Sequence, residues 1–135
     1  MKGIADTGFI VAFRNRTDEH HTWAPDVAKR ITDPLLTCES VLSEAAFQIG
    51  SSEDVLSLIE DGLVCPAFDL KGNLAQLQEL AARYSDRHPD LADLCLIRMS
   101  ELYPRHVVIT VDEEDFRVYR RNKRESIPLL CPPSK

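Results

Sequence analysis

No stretch of this chain approaches the roughly 20 consecutive apolar residues that a membrane-spanning helix requires. No basic segment leading into an apolar run stands at the N-terminus either. Both absences lead to the expectation of a soluble, cytoplasmic protein with no membrane partner. Cysteine is sparse and scattered: Cys38, Cys65, Cys95 and Cys131 form no C-x-x-C pair, and each stands among apolar neighbours. That distribution argues against a zinc site and for buried free thiols in a reducing compartment. His20, His21, His88 and His106 are equally dispersed and are expected to face solvent rather than ligate. Internal repeats and low-complexity linkers are absent. An excess of positive charge is missing as well. The 16 Lys and Arg stand against 22 Asp and Glu, a net charge of −6, which argues against general electrostatic adhesion to nucleic acid.

What is present suffices for one folded unit. A chain of 135 residues, 44% of them hydrophobic, can bury a core without staples, so residues 1–135 are read as a single domain. Short apolar runs at Gly3–Ala5, Leu35–Cys38, Val64–Phe68 and Val107–Val111 read as strands, with a weaker one at Pro128–Cys131. Helices fill the gaps. A short one is expected over Thr7–Arg14 and an amphipathic one over Asp18–Ile31. A third is expected in "SVLSEAAFQIG", capped by Ser40 and ended by Gly50, and a fourth opens at Ser52 and ends before Gly62. Asn73–Tyr84 carries Leu74, Leu77, Leu80 and Ala81 on one face, and a last helix is expected over about Leu91–Leu102. Strands alternating with helices of this length need crossover connections. They predict an α/β fold, a mostly parallel sheet with helices on both faces in a three-layer α/β/α sandwich.

Within that architecture one stretch is conspicuous. In "IADTGF" an apolar opening meets a bare carboxylate, Asp6, before the apolar pattern resumes. Functional groups in open parallel sheets gather beyond the carboxyl ends of the strands, and Asp6 ends the first strand. Asp112 stands in the same relation to Val107–Val111. Glu44 is an acid inserted among Val41, Leu42, Ala45, Ala46 and Phe47, and Asp93 precedes Leu94, Cys95, Leu96 and Ile97. Capping is the simpler reading of most of these taken singly. Asp6 would cap the first helix, Asp90 would cap another with Asp93 three residues on, and Asp112 would cap a turn through "DEED". Glu44 escapes it, lying past the first turn with no cation at its i+3 or i+4 neighbour. Four carboxylates at one sheet edge would raise one another's pKa and oppose folding, a conflict that divalent cations resolve. Oxygen donors without Cys or His select Mg²⁺ or Mn²⁺. Such a cluster is the equipment of phosphodiester hydrolysis, in which one ion activates water and another stabilises the leaving oxygen.

The order "IADTGFIVAF", "ESVLSEAAF", "HPDLADLCLIRMSE", "VVITVDEEDFRVYRR" resembles the PIN domain, the fold of metal-dependent ribonucleases that includes the VapC-type toxins. The resemblance covers nearly the whole chain and is most specific in D-T-G, D-L-A-D-x-x-L and T-x-D-x-x-D-F. It implies a sheet of about five strands, with Asp6, Glu44, Asp93 and Asp112 as the four metal-holding catalytic acids. Asp90 and Asp115 become auxiliary acids at the rim, while Thr7 and Thr110 bond waters or orient carboxylates. It also implies an RNA substrate, a homodimer and an antitoxin partner whose tail occupies the acidic groove. D-L replaces the family's D-A at Asp93–Leu94, which alters packing and not the ligand.

Two other readings stand beside this one. D-T-G is also an aspartic-protease signature, but that fold is nearly all β, and long helical patterns follow the motif here. The alternative that remains is a PIN-like scaffold that binds RNA or protein without cutting. In "RVYRRNKRE" the cations are expected to divide by distance from the acids: Arg117 and Arg120 guide RNA, while Arg121, Lys123 and Arg124 mostly solvate the surface. Trp23, with Val27 and Ile31 on one face, is either core or a contact surface.

Overall fold

The structure is a computed structural model that describes residues 1–134. The chain runs β1 (Gly3–Ala5), α1 (Thr7–Arg14), α2 (Trp23–Ala28), β2 (Leu35–Thr37), α3 (Glu39–Ile49), α4 (Ser52–Glu60) and β3 (Val64–Pro66). It continues through α5 (Leu74–Arg83), α6 (Leu91–Leu102), β4 (Val107–Ile109), α7 (Glu113–Val118) and three two-residue strands, β5 (Arg120–Arg121), β6 (Glu125–Ser126) and β7 (Leu129–Leu130).

A strand buried along its whole length, as β1 is, needs partners on both edges. It finds them in β2, through Ile4 and Leu36, and in β4, through Ile4 and Val108. The resulting sheet has the order β3-β2-β1-β4-β7, and every pairing in it is parallel. The fold is therefore α/β, a five-stranded parallel sheet flanked by helices, as the alternation of strands and helices predicts. β5 and β6 pair antiparallel in a separate ribbon. Ile4, Ile10, Leu35, Leu96, Ile97 and Ile109 are fully buried in a core of sheet and helix side chains. Among the described residues no helix is long and apolar enough to cross a membrane.

The order of the strands locates a crevice. From β1 the chain steps outward to β2 and β3, then passes back over β1 to β4 and β7. Right-handed crossovers send the helices of these two legs to opposite faces. β1 and β4 are thus neighbours whose connections leave in opposite directions, which opens a gap beyond their carboxyl ends. Asp6 follows β1, and Asp112 lies just beyond β4.

Local chemistry explains where the structure departs from the periodicity. The amphipathic pattern of Asp18–Ile31 yields helix only over Trp23–Ala28. Upstream, the Asn15 side chain accepts from both the N–H and the hydroxyl of Thr17, and Asp18 accepts from the His20 N–H. Such local bonds offer the backbone an alternative to helix. α3 begins one residue before Ser40, with Cys38 at its cap position and no side-chain bond there. Ser51 caps α4 by accepting from the Asp54 N–H at 3.1 Å. Strands β2, β3 and β4 stop at Thr37, Pro66 and Ile109, short of the apolar runs that suggested them. Of the cysteines, Cys38 and Cys95 are buried, but Cys65 is exposed and Cys131 is partly so. Cys65 lies on β3, an edge strand, and so meets solvent. Of the histidines only His88 is fully exposed; the other three are half-buried.

The glycine of "DTG" has a steric reason. A Cβ on Gly8 would overlap Val111 Cγ2 and come within 3.3 Å of Val111 Cβ, so α1 can lie against the segment leading to Asp112 only without a side chain there. Gly8→Ala is expected to lower the unfolding free energy by about 1–3 kcal/mol, measured by urea denaturation. The double variant with Val111→Ala should lose less than the sum of the two single changes.

Candidate metal centre

Each acid is placed by the element it begins or belongs to. Asp6 is the N-cap of α1: Oδ1 accepts from the Thr7 N–H at 2.7 Å, and Oδ2 accepts from the Thr110 hydroxyl at 2.6 Å. The same Thr110 oxygen accepts from the Asp112 N–H at 2.9 Å, so one hydroxyl ties the ends of both central strands together. Asp112 caps α7 by accepting from the Asp115 N–H at 3.3 Å, and Asp90 caps α6 by accepting from the Asp93 N–H at 2.8 Å. All three caps foreseen from the spacing are made. Capping and convergence are not alternatives here: Asp6 and Asp112 cap helices that start just past β1 and β4, which carries their carboxylates to the crevice, and Asp90 caps α6 from the loop before it. Glu44, midway along α3, accepts from the Thr7 hydroxyl and from the Gln48 side-chain amide, both at 3.3 Å.

The crevice is a cleft of about 370 Å³ lined by Asp6, Thr7, Glu44, Asp90, Asp93, Asp112 and Asp115, together with Arg87, His88 and Tyr119. All four primary acids of the sequence reading and its two rim acids therefore share one site. Thr110 touches them from below, fully buried. The tightest grouping is Asp93, Asp112 and Asp115, whose carboxylate oxygens lie within 4.8 Å of one another. Asp115 thus stands closer to the centre than its auxiliary rank suggests.

The electrostatics are those of a site short of positive charge. The Asp6 carboxyl is pushed up from 3.8 to about 6, first by burial and further by Asp112 and Glu44, with Thr110 and Thr7 opposing. Asp93 is pushed up to about 7 by burial, then by Asp90 and Asp6, against the hydrogen bond from Tyr119. Asp112 is also raised, chiefly by burial. Burial is the largest single cause in each. The donor set is carboxylate oxygen, with His88 at the rim outside the close group and no cysteine lining the cleft. Clustered oxygen donors held partly out of water fit a hard divalent cation such as Mg²⁺ or Mn²⁺.

The cations of the basic run do not line this cleft. Arg117 pairs with Glu113 at 3.3 Å on the surface. Arg120 turns its guanidinium onto the carbonyls of Arg117, Val118 and Tyr119. Neither lines the cleft. Arg121, expected to solvate the surface, is instead 6% exposed and donates to the carbonyls of Ser100 and Pro104 while pairing with Glu125. Trp23 is half-buried, edge-on to Phe9 at 5.9 Å. It also lines a separate, largely apolar groove of about 910 Å³ with Val111, Leu130, Cys131 and Pro132, so it serves core and surface at once.

Two residues of the cleft were not singled out from the sequence. Tyr119 is buried between Tyr84 and Phe116, with ring centroids at 5.1 and 5.3 Å, and its hydroxyl donates to Asp93 Oδ2 at 3.0 Å. Arg87 donates to Asp115 Oδ1 at 3.1 Å. The nearest signals were Phe116 three residues before Tyr119, a one-turn spacing, and Arg87 three residues before a capping aspartate. In comparison with known proteins, no family model matches this chain and no curated protein matches it significantly.

The raised carboxyls imply a sign for pH dependence. Asp6, Asp93 and Asp112 hold their protons more tightly folded than unfolded, so their contribution to stability is complete below about pH 4 and is lost as pH rises through about 6 to 7. Metal-free protein is expected to melt at a higher temperature at pH 5.5 than at pH 8, read by circular dichroism. Asp93→Asn should flatten that slope and raise the melting temperature at pH 8.

Proposed function

We propose that this protein is a metal-dependent ribonuclease of the PIN type, hydrolysing RNA phosphodiester bonds with Mg²⁺ or Mn²⁺, and that it acts as the toxin of a toxin–antitoxin module. The observation that carries this reading is the convergence of Asp93, Asp112 and Asp115 within 4.8 Å in a cleft that Asp6 and Glu44 also line. Asp93, Asp112 and Asp115 would hold the cation, with Asp6 and Glu44, the other two acids of the expected set, lining the same cleft. A divalent ion there supplies a water acidified toward hydroxide and a positive charge for the phosphate oxygens. The protein's own part is orientation. Thr110 fixes Asp6 against the backbone of Asp112, Tyr119 holds Asp93, and Thr7 turns Glu44 toward the cleft. Preorganised groups of this kind need not rearrange as charge develops.

The partner half of the proposal draws on two surfaces. The groove of about 910 Å³ beside Trp23 and Leu130 offers an apolar seat for an antitoxin segment. Phe47, 86% exposed, and Leu91, 49% exposed, line one hollow beside Glu44 and Asp90, an apolar surface suited to a homodimer.

Purified protein is expected to cleave single-stranded RNA with Mg²⁺ or Mn²⁺ and to stop on chelation. Asp93→Asn and Asp112→Asn should each lose at least about 100-fold of that rate while keeping the native circular dichroism spectrum. RNA binding without cleavage at any metal concentration would favour the non-enzymatic scaffold instead. For the toxin role, wild-type protein expressed in a host cell should arrest growth and Asp93→Asn protein should not; equal growth would remove that role.

A further inference from the structure

We infer that Arg87 is the residue that receives the RNA phosphate in the acid cleft, exchanging its ion pair with Asp115 for a phosphate oxygen of the substrate backbone. The inference rests on the ribonuclease reading for the identity of the substrate and on the following geometry for the residue. Among the described residues that line the cleft, Arg87 is the one lysine or arginine. A chain of net charge −6 that admits a polyanion to a pocket of carboxylates needs a cation at the point of entry, because long-range attraction is lacking. The basic run does not supply it. Arg117 is engaged by Glu113, Arg120 by three backbone carbonyls and Arg121 by the buried carbonyls of Ser100 and Pro104.

The loop that carries Arg87 is held at both ends. Its N–H donates to the Tyr84 carbonyl at 2.9 Å, and Tyr84 is itself fixed, its hydroxyl accepting from the Arg120 N–H at 2.8 Å. On the other side His88 adopts a left-handed backbone, φ 49°, before Pro89 and the Asp90 cap. A non-glycine residue in that region is held there by its surroundings, and here it turns the chain so that Arg87 stands over the cleft. The guanidinium reaches Asp115 Oδ1 at 3.1 Å, with the two side chains 35% and 44% exposed. A half-exposed ion pair of this sort is weak and therefore exchangeable. Guanidinium presents a planar fork that suits phosphate as well as carboxylate. Asp115 belongs at the same time to the close carboxylate group, so the residue Arg87 would release is one with other work in the cleft.

The test reads binding apart from turnover. A fluorescein-labelled single-stranded RNA is titrated with Asp93→Asn protein in Mg²⁺ across a salt series, with fluorescence anisotropy as the readout. Adding Arg87→Ala to that background should weaken binding about tenfold and reduce the slope of log K against log salt by about 0.7. Arg87→Lys should restore the slope but not the full affinity. Arg124→Ala, on the exposed turn between β5 and β6, should leave cleft binding unchanged. An unaltered dissociation constant and slope in Arg87→Ala would overturn the inference. So would a fall in melting temperature and in calorimetric Mn²⁺ affinity, in the otherwise unaltered chain, that parallels the loss of RNA binding, because Arg87 would then only be bracing Asp115. The ribonuclease reading is judged separately, by whether protein with Asp93 and Arg87 intact cleaves the same RNA. Cleavage with no Arg87 effect removes this inference alone. An Arg87 effect without cleavage keeps the phosphate contact and removes the nuclease.

Discussion

One buried hydroxyl joins the fold to its site. Thr110 is inaccessible to solvent, donates to Asp6 and accepts from the backbone of Asp112. The two strands at the reversal of the sheet are thereby held in register at the end where their hydrogen-bond ladder stops. The ladder itself continues one step further through the Asp6 N–H to the Ile109 carbonyl at 3.0 Å. A buried carboxylate without such donors would be driven to neutrality or outward to water. With them, Asp6 can be almost fully buried and still aim at the cleft. The cost of that burial remains visible in its raised pKa, which the bonds from Thr110 and Thr7 only partly offset.

This coupling shows why helix caps and a candidate metal site coincide here. A helix that begins near the end of a parallel strand presents its first turn to the crevice, and the side chain that caps it is carried there. Asp6 and Asp112 occupy such positions, and Asp90 brings a third cap to the same cleft from the loop before α6. Three helix starts from different parts of the chain thus supply acids to one place. Glu44 and Tyr119 close the walls from the middle of α3 and from just past α7. The remaining features are organised around this arrangement. Gly8 lets α1 approach Val111, and the left-handed His88 turns the preceding loop over the opening.

The parts of this that were legible in the sequence share a cause. An acid at the end of an apolar strand, or inside an apolar helix, violates the local pattern, and Asp6, Glu44, Asp93 and Asp112 do so. The alternation of strands and helices similarly carried the parallel sheet. What was not legible depended on contacts that no period records. Arg87 is ordinary in the polar loop "SDRHP", and only the folded path of that loop brings it to Asp115. Tyr119 was hidden in a run that reads as basic. Arg121 became buried because Asn122 and Lys123 take positive φ values of 49° and 71°, a tight turn that sets Glu125 against it. The helix expected across Asp18–Ile31 was shortened at its start, where the Asp18 side chain accepts from the His20 N–H, a competition that apolar spacing does not register.

The pairing of β1 with β4 has a temporal consequence. Asp6 and Thr110 are 104 residues apart in sequence, and β1 must wait for β4 to pair along its second edge. Contacts so distant along the chain raise the contact order and slow folding, because a long loop must close before the pairing is rewarded. During synthesis β1 therefore waits, and the N-terminal acids wait with it. A chain interrupted between residues 93 and 107 already carries Asp6, Glu44 and Asp93 but lacks β4, the strand that pairs with β1 at the crevice. Whatever chemistry the cleft performs begins only once β4 has been made and has paired with β1.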